Sequence, residues 1–187
     1  MGPRKTGLPV GKSTHSLTRV QVRARPGNRA QGWLSAGGLT IPVALGRSGI
    51  LANKREGDGA TPRGSFHPLR LWWRADRSAA PRTHLPLRRI RPDDAWSEDP
   101  HDRRYNRPIK RKADERGDRL ARKDHLYDVI VEIDHNTRPR IAGRGSAVFI
   151  HLARPGFAPT AGCVALDGKR LRWLVGRLNR RTTLDIA

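Results

Sequence analysis

Cysteine occurs once in the 187 residues, at Cys163. A lone thiol excludes an internal disulfide, so the fold must stand on its apolar core. Acidic residues are scarce as well, 17 against 38 lysines and arginines, and none precedes Glu56. The resulting formal net charge of +21 attracts polyanions such as nucleic acid, anionic lipid or an acidic wall polymer, without choosing among them. No apolar run approaches the roughly 20 residues of a membrane-spanning helix. The opening Met1-Gly-Pro-Arg-Lys-Thr-Gly-Leu-Pro9 has no apolar stretch of the secretory-signal kind. Nor is a metal site expected, because His84, His101, His125 and His135 show no His-x3-His spacing and have no cysteine partner.

What remains is a lean but globular composition, 36% hydrophobic with five tryptophans. The length suits one domain with a proper core. Residues 1–17, rich in Gly, Pro, Lys and Ser without apolar periodicity, read as a mobile basic arm, and residues 18–187 as the folded domain. Alternation at Val20-Gln-Val22-Arg-Ala24, then Ala30 to Leu34 and Leu39 to Leu45, predicts a meander of short strands broken by Pro26-Gly27 and Gly37-Gly38. Pro42 argues for an edge or a bulge in the third of these. Further strands are expected at Ser65 to Trp73, Leu85 to Ile90 and Thr182 to Ile186. The β-branched runs Asp128 to Asp134 and Ala147 to Leu152 are the candidates for central strands. Leu171, Leu174, Val175 and Leu178, following Asp167, fall on one face of a helix. Residues 91–124 are charged and interrupted by Pro92, Pro100 and Pro108, the pattern of a long loop with at most a short helix. The fold class is therefore mainly β, sandwich-like, with a C-terminal helix and a long charged loop.

One stretch carries chemistry. His151 ends the apolar run Ala147 to Leu152, and a loop containing Pro155, Gly156 and Pro159 returns the chain to Gly162-Cys163. An imidazole beside a thiol can take its proton and leave a thiolate–imidazolium pair. Gly162 allows a close backbone approach, and the amides of Gly162 and Cys163 are candidates to hold an oxyanion. A lone cysteine is otherwise commonly an inert buried residue, and a lone histidine a hydrogen-bonded core residue.

The order strand, His151, loop, Thr160-Ala-Gly162-Cys163-Val-Ala-Leu166 resembles the catalytic signature of the YkuD-type L,D-transpeptidase family. Upstream, Thr61-Pro62-Arg-Gly64-Ser-Phe66 is similar to that family's Thr-Pro-x-Gly-x-Phe segment. The resemblance runs from about Val20 to the C-terminus. It implies a YkuD-type fold and a cysteine acyl-enzyme on peptidoglycan stem peptides, with no metal or organic cofactor. It also implies a periplasmic or cell-wall location and reaction of the thiol with β-lactams of the carbapenem type. Cys163 is then the nucleophile, His151 the base, and a hydroxyl or carbonyl near Thr160 the group that orients the imidazole. Asp134 or Glu132 are acidic alternatives for that last role. Where many members carry Ser-His-Gly-Cys, an apolar residue and Arg, this chain has Thr160-Ala161-Gly162-Cys163-Val164-Ala165. The second histidine and the arginine are absent.

Arg63 beside the Thr-Pro segment, with Lys54 and Arg55, is a candidate for substrate carboxylates. Tyr105 and Asn106 either line a substrate groove or pin the charged loop to the body. A second class of function also fits the charge: a basic module for nucleic acid or anionic polymer, with the thiol incidental.

Overall fold

The computed structural model describes residues 16–112 and 117–187. The expected basic arm, residues 1–17, falls outside that range except for its end, where buried Leu17 donates its amide to the Arg177 carbonyl at 2.8 Å. Strands β1 (Arg19–Arg25), β2 (Asn28–Ala36) and β3 (Leu39–Ala44) form the opening meander. Two-residue strands β4 (Ile50–Leu51) and β5 (Thr61–Pro62) pair in parallel. Then come β6 (Gly64–Phe66), β7 (Pro68–Trp73) and β8 (Leu87–Arg89). Three short strands follow, β9 (Asp94–Trp96), β10 (Pro108–Lys110) and β11 (Asp118–Arg119). Strands β12 (Val129–Ile133), β13 (Phe149–Leu152) and β14 (Val164–Leu166), helix α1 (Gly168–Val175) and β15 (Thr183–Ile186) complete the chain.

Ten of these strands form one sheet in the order β6-β15-β1-β2-β3-β14-β13-β12-β7-β8. Residues from both halves meet in one core: Val20, Val22 and Leu34 from one side, Leu71, Val131 and Ile150 from the other. The sheet therefore curls on itself, and its halves face each other in a sandwich-like way. Pro42 sits inside this sheet rather than at its border. It is tolerated because β3 meets β14 only at Ala44, so the side of Pro42 away from β2 has no ladder partner.

Helix α1 closes that core. Asp167 caps it, its Oδ1 accepting the amides of Lys169 and Arg170 at 3.0 Å each. A helix of eight residues does not hold itself together in water. Burial of Leu171, Leu174 and Val175, about 1.5–3 kcal/mol for each such side chain, is what fixes it.

The middle of the sheet is buried on both faces, which explains runs that are apolar throughout rather than alternating. Leu71, Val131, Ile150 and Val164 turn into the first core, while their chain neighbours Trp72, Ile130, Phe149 and Cys163 turn into a second. The charged stretch covers this second face. Expected as a loop with at most a short helix, it carries the sheet β10-β9-β11 and sends Trp96 and Leu120 into the second core. Its strands are only two or three residues long and set among charges and prolines, so no alternation long enough to be read as a strand appears. Several of those charges pair locally, as Lys110 does with Asp93 at 2.7 Å and Asp94 at 2.9 Å.

Candidate active site

Strands β13 and β14 are parallel neighbours near the centre of the sheet, with Ile150 opposite Val164 and His151 opposite Ala165. Cys163 directly precedes β14, which sets it beside Phe149. Alternation along β13 then puts Phe149 and His151 on the same face as the thiol. Both Cys163 and His151 line one cavity of about 390 Å³, a size that takes a peptide end.

His151 is buried, and its Nδ1 lies 2.8 Å from the carbonyl of Leu152. A carbonyl only accepts, so Nδ1 carries the proton and Nε2 is left as the basic nitrogen. Tyr127 packs edge-on against the ring at 5.2 Å between centroids and donates its hydroxyl to Asp118 at 2.7 Å. Burial holds the imidazole down to about 4, against 6.5 in the open.

The thiol is committed elsewhere at rest. Cys163 Sγ donates to the Ala147 carbonyl at 3.3 Å and accepts the Phe149 amide, also at 3.3 Å. Burial pushes the thiol up to about 12. The resting pair is thus a neutral thiol and a neutral imidazole rather than the expected thiolate–imidazolium. The cost of desolvating two charges outweighs the attraction available to form them.

Thr160, expected to orient the imidazole, braces the turn before Cys163 instead. Its hydroxyl donates to the Cys163 carbonyl at 2.7 Å and accepts the Gly162 amide at 3.1 Å. The Leu152 carbonyl is what orients His151, and Asp134 serves the His67 amide at 2.8 Å. Glu132 is likewise engaged elsewhere, by Trp72 Nε1 at 2.8 Å. Gly162 has φ 149°, and a Cβ there would lie 2.8 Å from the Ala60 carbonyl oxygen. The residue is glycine because the neighbouring loop passes directly across it.

With this geometry in view, the comparison with protein families is decisive. The model of the YkuD L,D-transpeptidase catalytic domain matches residues 13–186. The chain belongs to the YkuD family. Among solved structures it is similar to an L,D-transpeptidase from Mycobacterium tuberculosis H37Rv, with 11% identity, a TM-score of 0.44, and coverage of 92% of this chain and 57% of that one. L,D-transpeptidase 1 of Mycobacterium tuberculosis gives 14% identity and a TM-score of 0.40 over 91% of this chain and 61% of that one. L,D-transpeptidase 3 of the same organism, solved with a faropenem-derived adduct, gives 14%, 0.41, 89% and 59% in the same order. The chain thus spans less than two thirds of these neighbours' length. A search of curated proteins gives no match.

Within this YkuD domain the other expected binding residues stand away from the cavity lining. Arg63 is exposed directly after β5, where its amide donates to the Leu51 carbonyl at 2.9 Å. Tyr105 is buried, and its hydroxyl donates to Glu56 at 2.5 Å. Asn106 is buried too: its Oδ1 accepts from Trp96 Nε1 at 2.9 Å and the Ala147 amide at 3.2 Å. Its Nδ2 donates to the carbonyls of His135 at 3.1 Å and Asn136 at 2.9 Å. Both side chains pin the charged segment to the body, the second of the two roles open to them.

The cavity also gathers groups that no motif marked. Tyr127, Asp118, Lys54, Glu56 and Glu98 all line it. Glu98 keeps an exposed surface, yet crowding there and the nearby Asp118 and Glu56 carboxylates push its carboxyl upward. Only Lys54 was flagged by sequence, as part of a basic run.

Proposed function

We propose that the protein is a peptidoglycan L,D-transpeptidase that works through an acyl-enzyme on Cys163. The observation that carries this reading is that His151 on β13 and Cys163, just before the neighbouring β14, line one cavity in a YkuD domain. Attack begins when Cys163 Sγ turns from Ala147 and passes its proton to His151 Nε2. The sulfur then bonds to the amide carbonyl carbon between diaminopimelate and the terminal D-alanine of a stem tetrapeptide. As the C–N bond breaks, the leaving D-alanine nitrogen takes the proton from His151, and a thioester remains. An acceptor amine from a second stem discharges it to give a cross-link. Water in that place gives a shortened stem, the carboxypeptidase outcome.

Burial keeps the His151 imidazole unprotonated at neutral pH, so its Nε2 is free to take the thiol proton. The same attack on an amide carbonyl makes β-lactams of the carbapenem type expected acylating inhibitors. A cell-wall or periplasmic site of action follows from the substrate, and the +21 charge favours retention on an anionic wall. Incubation with purified stem tetrapeptides tests the reading. Released D-alanine, with either a cross-linked dimer or a tripeptide, is the expected result; intact tetrapeptide after prolonged incubation contradicts it.

A further inference from the structure

Lys54 is the buried cation of the cavity wall, with its side chain only 6% exposed. An ammonium is costly to remove from water unless paired, and a neutral side chain would pack there more cheaply. Its Nζ donates to Asp58 Oδ1 at 2.5 Å and to the Arg55 carbonyl at 2.6 Å. Asp58 is itself held by the amides of Arg55 at 2.7 Å and Ala60 at 2.8 Å. An ammonium has three N–H bonds, so one remains, and among the described residues nothing in the protein accepts it.

That cation and the turn before Cys163 share one cavity wall. Lys54 Cε lies 3.6 Å from where a Cβ on Gly162 would stand, and Lys54, Gly162 and Cys163 line the same cavity. The Gly162 amide, the first donor sequence reasoning assigned to an oxyanion, already donates to Thr160 Oγ1 at 3.1 Å. Of that pair, the Cys163 amide is the one not tied to Thr160. An oxyanion hole with a single amide is short of a donor.

We propose that Lys54 supplies the missing oxyanion donor, its third N–H stabilising the charge that develops when Cys163 attacks a carbonyl. The inference rests on the acyl-transfer reading above. As the S–C bond forms, the π pair of the carbonyl moves onto oxygen beside Lys54. When the C–N bond breaks, the pair returns to the carbonyl, and no proton leaves the ammonium. Asp58 acts as a positioning residue, since it fixes the ammonium from the side away from the substrate. Burial acts to raise the Asp58 carboxyl, but the bonds from Lys54 and the two amides outweigh it and hold the group below its usual value.

The test compares two reactions of the same thiol. Acylation by a carbapenem passes through an oxyanion, whereas alkylation by iodoacetamide does not. In Lys54→Gln, single-turnover acylation should fall about 10²-fold, while alkylation changes by less than about threefold. Lys54→Arg, which keeps the charge and the donors, should recover much of the acylation rate. Should Lys54→Gln fail to fold, the paired variant Lys54→Met/Asp58→Asn leaves no unmatched buried charge and takes its place. Acylation near the wild-type rate overturns the proposal, and so does an equal fall in both reactions, which marks a merely structural lysine. If the wild type itself is not acylated, the acyl-transfer reading falls and this inference with it.

Discussion

The thiol of Cys163 donates to the carbonyl of Ala147 at 3.3 Å, and no hydrogen bond joins it to His151. Ala147 offers that carbonyl from a left-handed backbone, φ 50°, a conformation that costs a non-glycine residue about 1–3 kcal/mol. Asn106 holds it there by accepting the Ala147 amide. The thiol is therefore neutral at rest, and under the acyl-enzyme mechanism proposed above proton transfer to His151 would accompany attack rather than precede it.

A neutral resting thiol has a kinetic signature. With Cys163 raised to about 12 and His151 lowered to about 4, alkylation of the free protein by iodoacetamide should climb about tenfold per pH unit between about pH 6 and pH 9. A plateau across that range marks a preformed thiolate–imidazolium pair and contradicts the account.

Burial of neutral His151 also ties stability to pH. The unfolded chain takes up this proton near 6.5, whereas the folded protein does so only near 4. The group's contribution is thus fully present above 6.5 and is lost as pH falls through that window, by at most about 3 kcal/mol. Melting curves of wild type and His151→Gln should converge toward pH 4 relative to their difference at pH 7.5. A difference that does not change with pH sinks this point.

Asn106 is expected to matter without touching substrate. Asn106→Ala strands the Trp96 Nε1 and Ala147 amide donors in the interior, each at about 1–3 kcal/mol. The melting temperature should fall, and acylation of the still-folded fraction should slow because Ala147 is released. Unchanged melting would show that these bonds carry no weight.

Gly162→Ala puts a Cβ 2.8 Å from the Ala60 carbonyl oxygen at φ 149°, and either the loop or the nucleophile must shift. Carbapenem acylation should drop by at least about tenfold, since small misplacements of reacting groups are costly. Wild-type acylation in this variant would mean that the approach of the two loops is not needed.

Much of this was legible in the sequence. Alternation marked β1 to β3, the β-branched runs marked β12 and β13, and the Leu171, Leu174, Val175 face marked α1. Cys163 and His151 were recognisable because a thiol, an imidazole and a glycine turn stood in the order of a known signature. Contacts carried by backbone atoms were not, because no side-chain pattern encodes the Leu152 carbonyl on His151 or the Ala147 carbonyl on the thiol. Tyr127, Asp118 and Lys54 reach the cavity from distant segments by tertiary folding alone. Leu120 was hidden by the charges around it, and the strands that carry Trp96 and Ile109 are only three residues long, which is why a covering sheet read as a loop.

The most direct measurement is the intact mass of the protein after brief exposure to a stem tetrapeptide or a carbapenem, followed by peptide mapping of the adduct. The account predicts one added acyl group on Cys163 in the wild type, none in Cys163→Ala, and strongly slowed formation in His151→Gln at an unchanged fold. An adduct that maps elsewhere, or forms equally in Cys163→Ala, contradicts it.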